Sequence, residues 1–321
     1  MEKHHLMNVE EVRKITVLGQ GVMGPDIALC FAVAGYNVTG VDILEEPIEH
    51  AAKKTLLNCQ QMVEEGILTE QEAINAQDRI TRTLEWEGSV SNADFIMEAV
   101  PENMETKQDV FWRCDALCSK DIIIASNTSS MSITQIASRM KQPERAITAH
   151  WTIPAHLSPM VEIVCGEKTS AETKGLALEL LKATGKHPVF CKDTPGFIHN
   201  FLQFALINAA LELVEQKVAL PEDIDSVVRN GFGLRLASVG PIQFLDMCGL
   251  DTVHNVLKYL HEITKNPVYK TPEVLREKVI KDELGVKPGK GFYNYEMPGS
   301  NEFWERTNKG IIRTLKSFKE I

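Results

Sequence analysis

Four polar residues, Ser129, His150, Glu162 and Asn200, are of the types that an alcohol-oxidising site needs. Taking hydride from a carbinol carbon requires a base for the hydroxyl proton, and imidazole, with an ordinary pKa near ~6.5, suits that task. A carboxylate beside the ring fixes its tautomer and stabilises the imidazolium. A hydroxyl and an amide can hold the substrate oxygen where charge develops. Each residue also has a plainer reading. His150 can be a strand-end histidine bonded to backbone, and Glu162 an exposed strand residue. Ser129 can be a helix N-cap, and Asn200 a cap or a solvated side chain.

The elements around these residues decide whether they can meet. An apolar strand over 145–150 ends at His150, and a second over 160–164 carries Glu162 near its start. The two residues are 12 apart, close enough for adjacent strands to join them. Upstream, apolar runs at 15–18, 36–41, 94–100 and 121–126 alternate with amphipathic stretches. Strand and helix in alternation predict a parallel sheet covered on both faces. Ligands of such sheets bind outside the carboxyl ends of the strands. Gly19, Asp42, residues 98–102 and residues 127–129 all fall there.

The turn after the first strand reads Gly19-Gln-Gly21-Val22-Met23-Gly24, a G-x-G-x-x-G dinucleotide fingerprint. Gly19 permits the tight turn, Gly21 lets backbone approach a pyrophosphate, and Gly24 lets helix and strand pack closely. The helix N-terminus then offers free N–H groups to phosphate. Asp42 closes the next strand, about 20 residues on, where an acid meets the ribose 2′-hydroxyl of NAD. A carboxylate there repels a 2′-phosphate, and Ile43 offers no compensating cation, so NAD is expected over NADP. A glycine-rich turn in another α/β protein is the alternative.

With 321 residues the chain is long enough for two domains, and its 44% apolar content is ordinary for a globular protein. No apolar run approaches the ~20 residues of a membrane span, and the polar residues 1–14 do not read as a signal peptide. A net charge of −10 argues against nucleic acid. Seven cysteines without a C-x-x-C pair fit a reducing cytoplasm, with Cys114 and Cys118 as buried thiols and no metal site. His4 and His5 read as disordered polar residues. His50, His187, His199, His254 and His261 read as structural, and the role of His156 stays open because its loop follows His150.

The residues before about 191 form an α/β Rossmann-like domain, and 192–321 read as all helix. Helix 46–65 should bury Ile48, Ala51, Ala52, Thr55, Leu56 and Met62, and Thr69 with Glu72 should make a capping box. Residues 201–215 are apolar nearly all round, which predicts a buried helix. The segment 301–321, with Ile311, Ile312, Leu315 and Phe318 at helical spacing, should dock on the helical domain or on a partner subunit.

Taken together, these stretches resemble the L-3-hydroxyacyl-CoA dehydrogenase family over nearly the whole chain. The matching residues are the Gly19–Gly24 fingerprint, Glu98-Ala-Val-Pro-Glu102-Asn103, Ser126-Asn-Thr-Ser-Ser130 and His150 with Pro154. Val161-Glu-Ile-Val164, Gly185-Lys-His-Pro-Val189, Asp193-Thr-Pro-Gly-Phe-Ile198 and Asn200 follow. Later come Gly240-Pro241, Asp246, Gly249-Leu-Asp-Thr252 and Gly289-Lys-Gly-Phe-Tyr293.

The resemblance implies a Rossmann-like NAD domain (1–191), an all-helical substrate and dimerisation domain (192–321), a cleft site between them and a homodimer. It implies His150 as base, Glu162 as its partner, and Ser129 and Asn200 on the substrate oxygen. Gly19, Gly21, Val22, Met23, Gly24, Asp42, Glu102, Lys107, Ser129 and Lys287 would bind NAD.

Three features depart from the family pattern, one of them the loop 151–159 with its His156, which resembles a less studied branch of the family. Ile153 stands where the family usually has asparagine, and Asn58 and Glu65 stand where a serine and a lysine often meet CoA. Lys53 and Lys54 are possible substitutes. The expected reaction interconverts (S)-3-hydroxyacyl-CoA and 3-oxoacyl-CoA. The alternatives are the same chemistry on a CoA-free 3-hydroxy acid, or a non-catalytic NAD-binding or structural protein, since the family has been recruited as a lens crystallin.

Overall fold

Alternate residues of each central strand enter opposite cores. Phe95, Met97, Ile123 and Ala125 face one cluster, and Ile96, Ile122 and Ile124 face the other. That period of two, apolar on both faces, is the signature of a strand covered on both sides. The computed structural model describes residues 7–295 and 299–317. His4, His5 and Phe318 lie outside the described residues.

The chain divides into two compact units, Met1–Ile207 and Asn208–Ile321. The first alternates strand and helix as β1 (Lys14–Leu18), α1 (Gly24–Val33), β2 (Asn37–Val41), α2 (Glu45–Glu64), α3 (Glu70–Asp78) and β3 (Ile80–Thr83). Then follow α4 (Glu87–Ser91), β4 (Phe95–Glu98), α5 (Met104–Leu117), β5 (Ile123–Ser126), α6 (Ile133–Ile136) and β6 (Ala146–Trp151). The unit continues with β7 (Met160–Cys165), α7 (Ala171–Ala183), β8 (His187–Lys192) and the start of α8 (His199–Glu215). The eight strands form one sheet in the order β3-β2-β1-β4-β5-β6-β7-β8.

The pairs from β3 through to β6 are parallel, as the alternation predicts. At β6 and β7 the pairing turns antiparallel. The connection 152–159 is too short for a parallel crossover, which takes about a dozen residues or more. The antiparallel register sets His150 directly opposite Glu162.

Local signals in the sequence hold the helices in place. Thr69 and Glu72 form the expected capping box on α3, and Asn103 caps α5 through the Thr106 N–H. Gly66, at φ 66°, ends the run after α2 in the left-handed region open to glycine. Phe31 of α1 is fully buried, its ring 6.0 Å from Phe95 and 5.6 Å from Trp151. Truncating it to alanine should cost about 3–5 kcal/mol.

Two expected faces differ. On α2 the buried residues are Ala51, Thr55, Asn58, Cys59 and Met62, while Ala52 and Leu56 face solvent. The helix turns its Asn58 edge inward because that amide donates to the buried carboxylate of Asp26 at 2.9 Å. The second is α8, which has no buried residue and leaves Phe201 69% and Leu211 60% exposed. Its all-round apolar composition therefore marks a helix that lacks cover among the described residues.

The second unit is helical, with segments Pro221–Val227, Pro241–Cys248, Leu250–Thr264, Glu273–Ile280 and Gly299–Ser317. Buried Asp246 pins its late turn by accepting from the Phe292 and Tyr293 N–H groups and the Tyr295 hydroxyl. No helix among the described residues is long and apolar enough to cross a membrane.

Candidate active site

A pocket of about 1220 Å³ opens at the carboxyl ends of the parallel strands, and its lining belongs to the first unit. The glycine turn forms one wall. Gly19 has φ 94°, and a Cβ there would meet the Ala99 carbonyl oxygen at 2.6 Å. A Cβ on Gly24 would run into the Gly19 carbonyl oxygen, so helix and turn pack too closely for any other residue. Above Gly21 nothing lies within 4 Å, which leaves the space a pyrophosphate needs. The three glycines thus do three different things, and the cradle fits a dinucleotide.

Asp42 stands at the end of β2 beside that turn. Its carboxylate accepts from the Gln20 N–H at 2.7 Å and the Ile43 N–H at 2.7 Å. A carboxylate has about four acceptor sites, so it keeps capacity for a ribose hydroxyl. Val22 and Met23 also line the pocket, as do Trp86 and Arg113, whose guanidinium lies 4.7 Å from the indole centroid.

The middle of the pocket is a chain of charges at the ends of β4 and β5. Buried Glu98 accepts from Lys107 Nζ at 2.7 Å and from the Ser126 hydroxyl at 2.6 Å. Its burial outweighs those partners and pushes its carboxyl above the usual range. Lys107, equally buried, reaches Glu102 at 3.3 Å. Glu102 in turn accepts from the Thr128 hydroxyl at 2.6 Å and the Ser129 N–H at 3.0 Å. Partial burial opposes its charge, but Thr128, Lys107 and Ser129 together hold it below the usual range. The lysine is therefore a buried clamp between two acids, and it orients Glu102 and through it the Ser129 turn.

At the far end His150 Nδ1 lies 2.8 Å from Glu162 Oε2. Both side chains are buried, at 6% and 2% exposure. The other oxygen of Glu162 accepts the Ile198 and His199 N–H groups at 2.9 and 2.8 Å. Burial raises the Glu162 carboxyl, yet the His150 bond and those amides outweigh it and hold it below the usual range. Nδ1 is engaged, so Nε2 is the ring nitrogen left for a proton on a bound substrate. Asn200, in the first turn of α8, donates to the Ser129 carbonyl at 2.9 Å. All of Ser129, His150, Asn200, Glu102, Lys107 and Asp42 line the one pocket. Lys287 belongs to the second unit, in the turn closed by the Gly289 N–H on the Val286 carbonyl.

His199 differs from its structural reading. It lines the pocket, and its ring centroid lies 6.0 Å from that of His150. Its place next to Asn200 at a helix start was the available signal. His156 is tied to the Asp26 and Asn58 side chains and not to the pocket wall. Lys54 is likewise taken, by Asp26 at 2.9 Å and the Val22 carbonyl at 2.6 Å. Cys114 and Cys118 are both buried.

A dinucleotide cradle and, in the same pocket, a histidine backed by a buried carboxylate fit an NAD-dependent oxidoreductase that works on a carbinol carbon. Residues 14–194 match the model of the 3-hydroxyacyl-CoA dehydrogenase NAD binding domain, and residues 196–295 match that of the family's C-terminal domain. The chain belongs to the 3-hydroxyacyl-CoA dehydrogenase family.

It is 36% identical over 287 residues to 5-formyl-3-hydroxy-2-methylpyridine 4-carboxylate 5-dehydrogenase of Mesorhizobium japonicum, covering 88% of this chain and 91% of the relative. It is 36% identical over 288 residues to a probable 3-hydroxybutyryl-CoA dehydrogenase of Bacillus subtilis, covering 89% and 98%. The crystal structure of a 3-hydroxyacyl-CoA dehydrogenase from Archaeoglobus fulgidus superposes with a TM-score of 0.78 at 32% identity, covering 95% and 99%.

Proposed function

We propose that the protein oxidises the hydroxyl of a (S)-3-hydroxyacyl-CoA to the 3-oxoacyl-CoA, or runs the reverse reduction. The observation that carries this is the buried His150–Glu162 pair, whose histidine lines the pocket walled by the glycine turn. NAD, when bound, supplies the hydride acceptor. His150 takes the hydroxyl proton at Nε2, while Glu162 holds Nδ1 and favours the imidazolium. Ser129 and Asn200 position the substrate oxygen, and Glu102, clamped by Lys107, holds Ser129. Following NADH formation with NAD and (S)-3-hydroxybutyryl-CoA tests the reading directly; no turnover across chain lengths would defeat it.

A second reading, a CoA-free 3-hydroxy substrate, has its own support. Ile153, 72% exposed, presents an apolar side chain to the pocket, and the Asn58 and Lys54 head groups are committed to Asp26. The Mesorhizobium relative is named for a pyridine carboxylate and not for a CoA ester. Turnover of free 3-hydroxy acids above the CoA ester in a side-by-side panel would favour it.

The uncovered apolar helix α8 supports a homodimer, with a second copy as the cover. Seven free cysteines support a reducing cytoplasmic setting.

A further inference from the structure

Asp26 is a carboxylate with 3% of its side chain exposed, in the first turn of α1, directly behind the glycine turn. A buried charge must be paired and hydrogen-bonded. Its partners come from two other segments. From α2, Lys54 Nζ and Asn58 Nδ2 both lie 2.9 Å from Oδ1. From the 152–158 loop, His156 Nδ1 lies 3.4 Å from Oδ2 and 3.4 Å from Asn58 Nδ2, so it meets Asp26 both directly and through the Asn58 amide. The same Lys54 ammonium reaches onward to the Val22 carbonyl at 2.6 Å. Each arm therefore ends beside a pocket wall. One arm holds Val22 of the cofactor turn, and the other holds the loop that presents Ile153.

The rest of that loop is braced as well. Lys186 Nζ, itself buried, donates to the Ala155 and Ser158 carbonyls, both at 2.7 Å. Those bonds hold the loop base, while the Asp26–His156 contact sets its position against α1.

We infer that Asp26 is a positioning residue that ties the cofactor turn, through Lys54 and Val22, to the substrate-facing 152–158 loop, through His156. It touches neither cofactor nor substrate and acts through both arms. The inference rests on the proposed reading of the pocket as the NAD and substrate site.

Three variants separate the arms. His156→Ala severs the loop arm, Lys54→Met the turn arm, and Asp26→Ala both. Steady-state rates with NAD and (S)-3-hydroxybutyryl-CoA, or the best free hydroxy acid, give both Michaelis constants. The expected split is a substrate KM raised about tenfold in His156→Ala with the NAD KM within about threefold, and the reverse in Lys54→Met. Asp26→Ala raises both, and Asp26→Asn, which keeps an acceptor for Lys54, restores the NAD KM.

Hydrogen exchange at the Leu157 and Ser158 amides, which donate to the Pro154 carbonyl, reads the loop arm without turnover. It should quicken in His156→Ala and Asp26→Ala and not in Lys54→Met. Unchanged Michaelis constants with only a lowered Tm, or parallel changes in both single-arm variants, would overturn the inference. If Asp26→Ala does not fold, the single-arm variants decide. A wild type that binds NAD but turns over no hydroxy substrate counts against the proposed function, and the exchange pattern then decides the tether.

Discussion

His150 and Glu162 face each other across the antiparallel β6–β7 pair, one strand in from the β8 edge, with Nδ1 2.8 Å from Oε2. Strand pairing itself holds the ring and its carboxylate together, and strands are more rigid supports than loops. Glu162 also fastens the start of α8 through the Ile198 and His199 amides. One carboxylate thus orients the His150 ring and positions the helix that carries Asn200.

His150→Ala should lower kcat by at least two orders of magnitude, a typical contribution of a positioned base, while NAD affinity stays near wild type. Rapid-quench or steady-state rates beside NADH titration would check this. Near-normal turnover would sink the mechanism.

Glu162→Gln should lower kcat by about a hundredfold. Its effect on stability has a definite sign. The native Glu162 carboxyl lies below its usual range, so its contribution is complete above about pH 4.3 and is lost as pH falls through the depressed native value. The Tm gap between wild type and Glu162→Gln should be widest at neutral pH and close below about pH 4.

Gly24→Ala and Gly21→Ala should separate folding from binding. The first must displace the Gly19 carbonyl, and it should lower Tm and abolish NAD binding. The second meets no protein atom, so Tm should hold while the NAD Kd rises about tenfold or more. Calorimetry and NADH fluorescence would read the two; equal behaviour would contradict the assignment of roles.

Asp42→Ala should narrow the preference for NAD over NADP by about tenfold, because the carboxylate that repels a 2′-phosphate is gone. Some NAD affinity should be lost as well, since Asp42 also fastens the Gln20 amide of the turn. Cofactor KM ratios in wild type and variant would test it.

Native thiol titration should label Cys248 first, the exposed cysteine, and leave Cys30 unreacted. Burial pushes the Cys30 thiol up to about 11, with Lys186 only partly opposing it. Fast labelling of Cys30 in folded protein would contradict its packing.

The cofactor half is legible in the sequence because its chemistry is local. Gly19, Gly21, Gly24 and Asp42 sit on one strand–turn–helix–strand unit, so their spacing along the chain is their spacing in space. The apolar strands are legible for the same reason, as is the Thr69–Glu72 cap. His150 and Glu162 are an intermediate case: their separation allows adjacent strands, and only the antiparallel register makes them partners. Long-range packing decides what remains. Glu98 and Lys107 close on each other from a strand and a helix, and Asn58 turns inward because Asp26, far away in sequence, needs a donor. His199 enters the pocket because Glu162 captures its N–H. Apolar composition says that α8 requires cover, but composition does not say which surface supplies it. Residue type determined which groups could do the chemistry here, and tertiary contacts decided which of them a buried charge would claim, because a desolvated carboxylate or ammonium must find its partner wherever in the chain it lies.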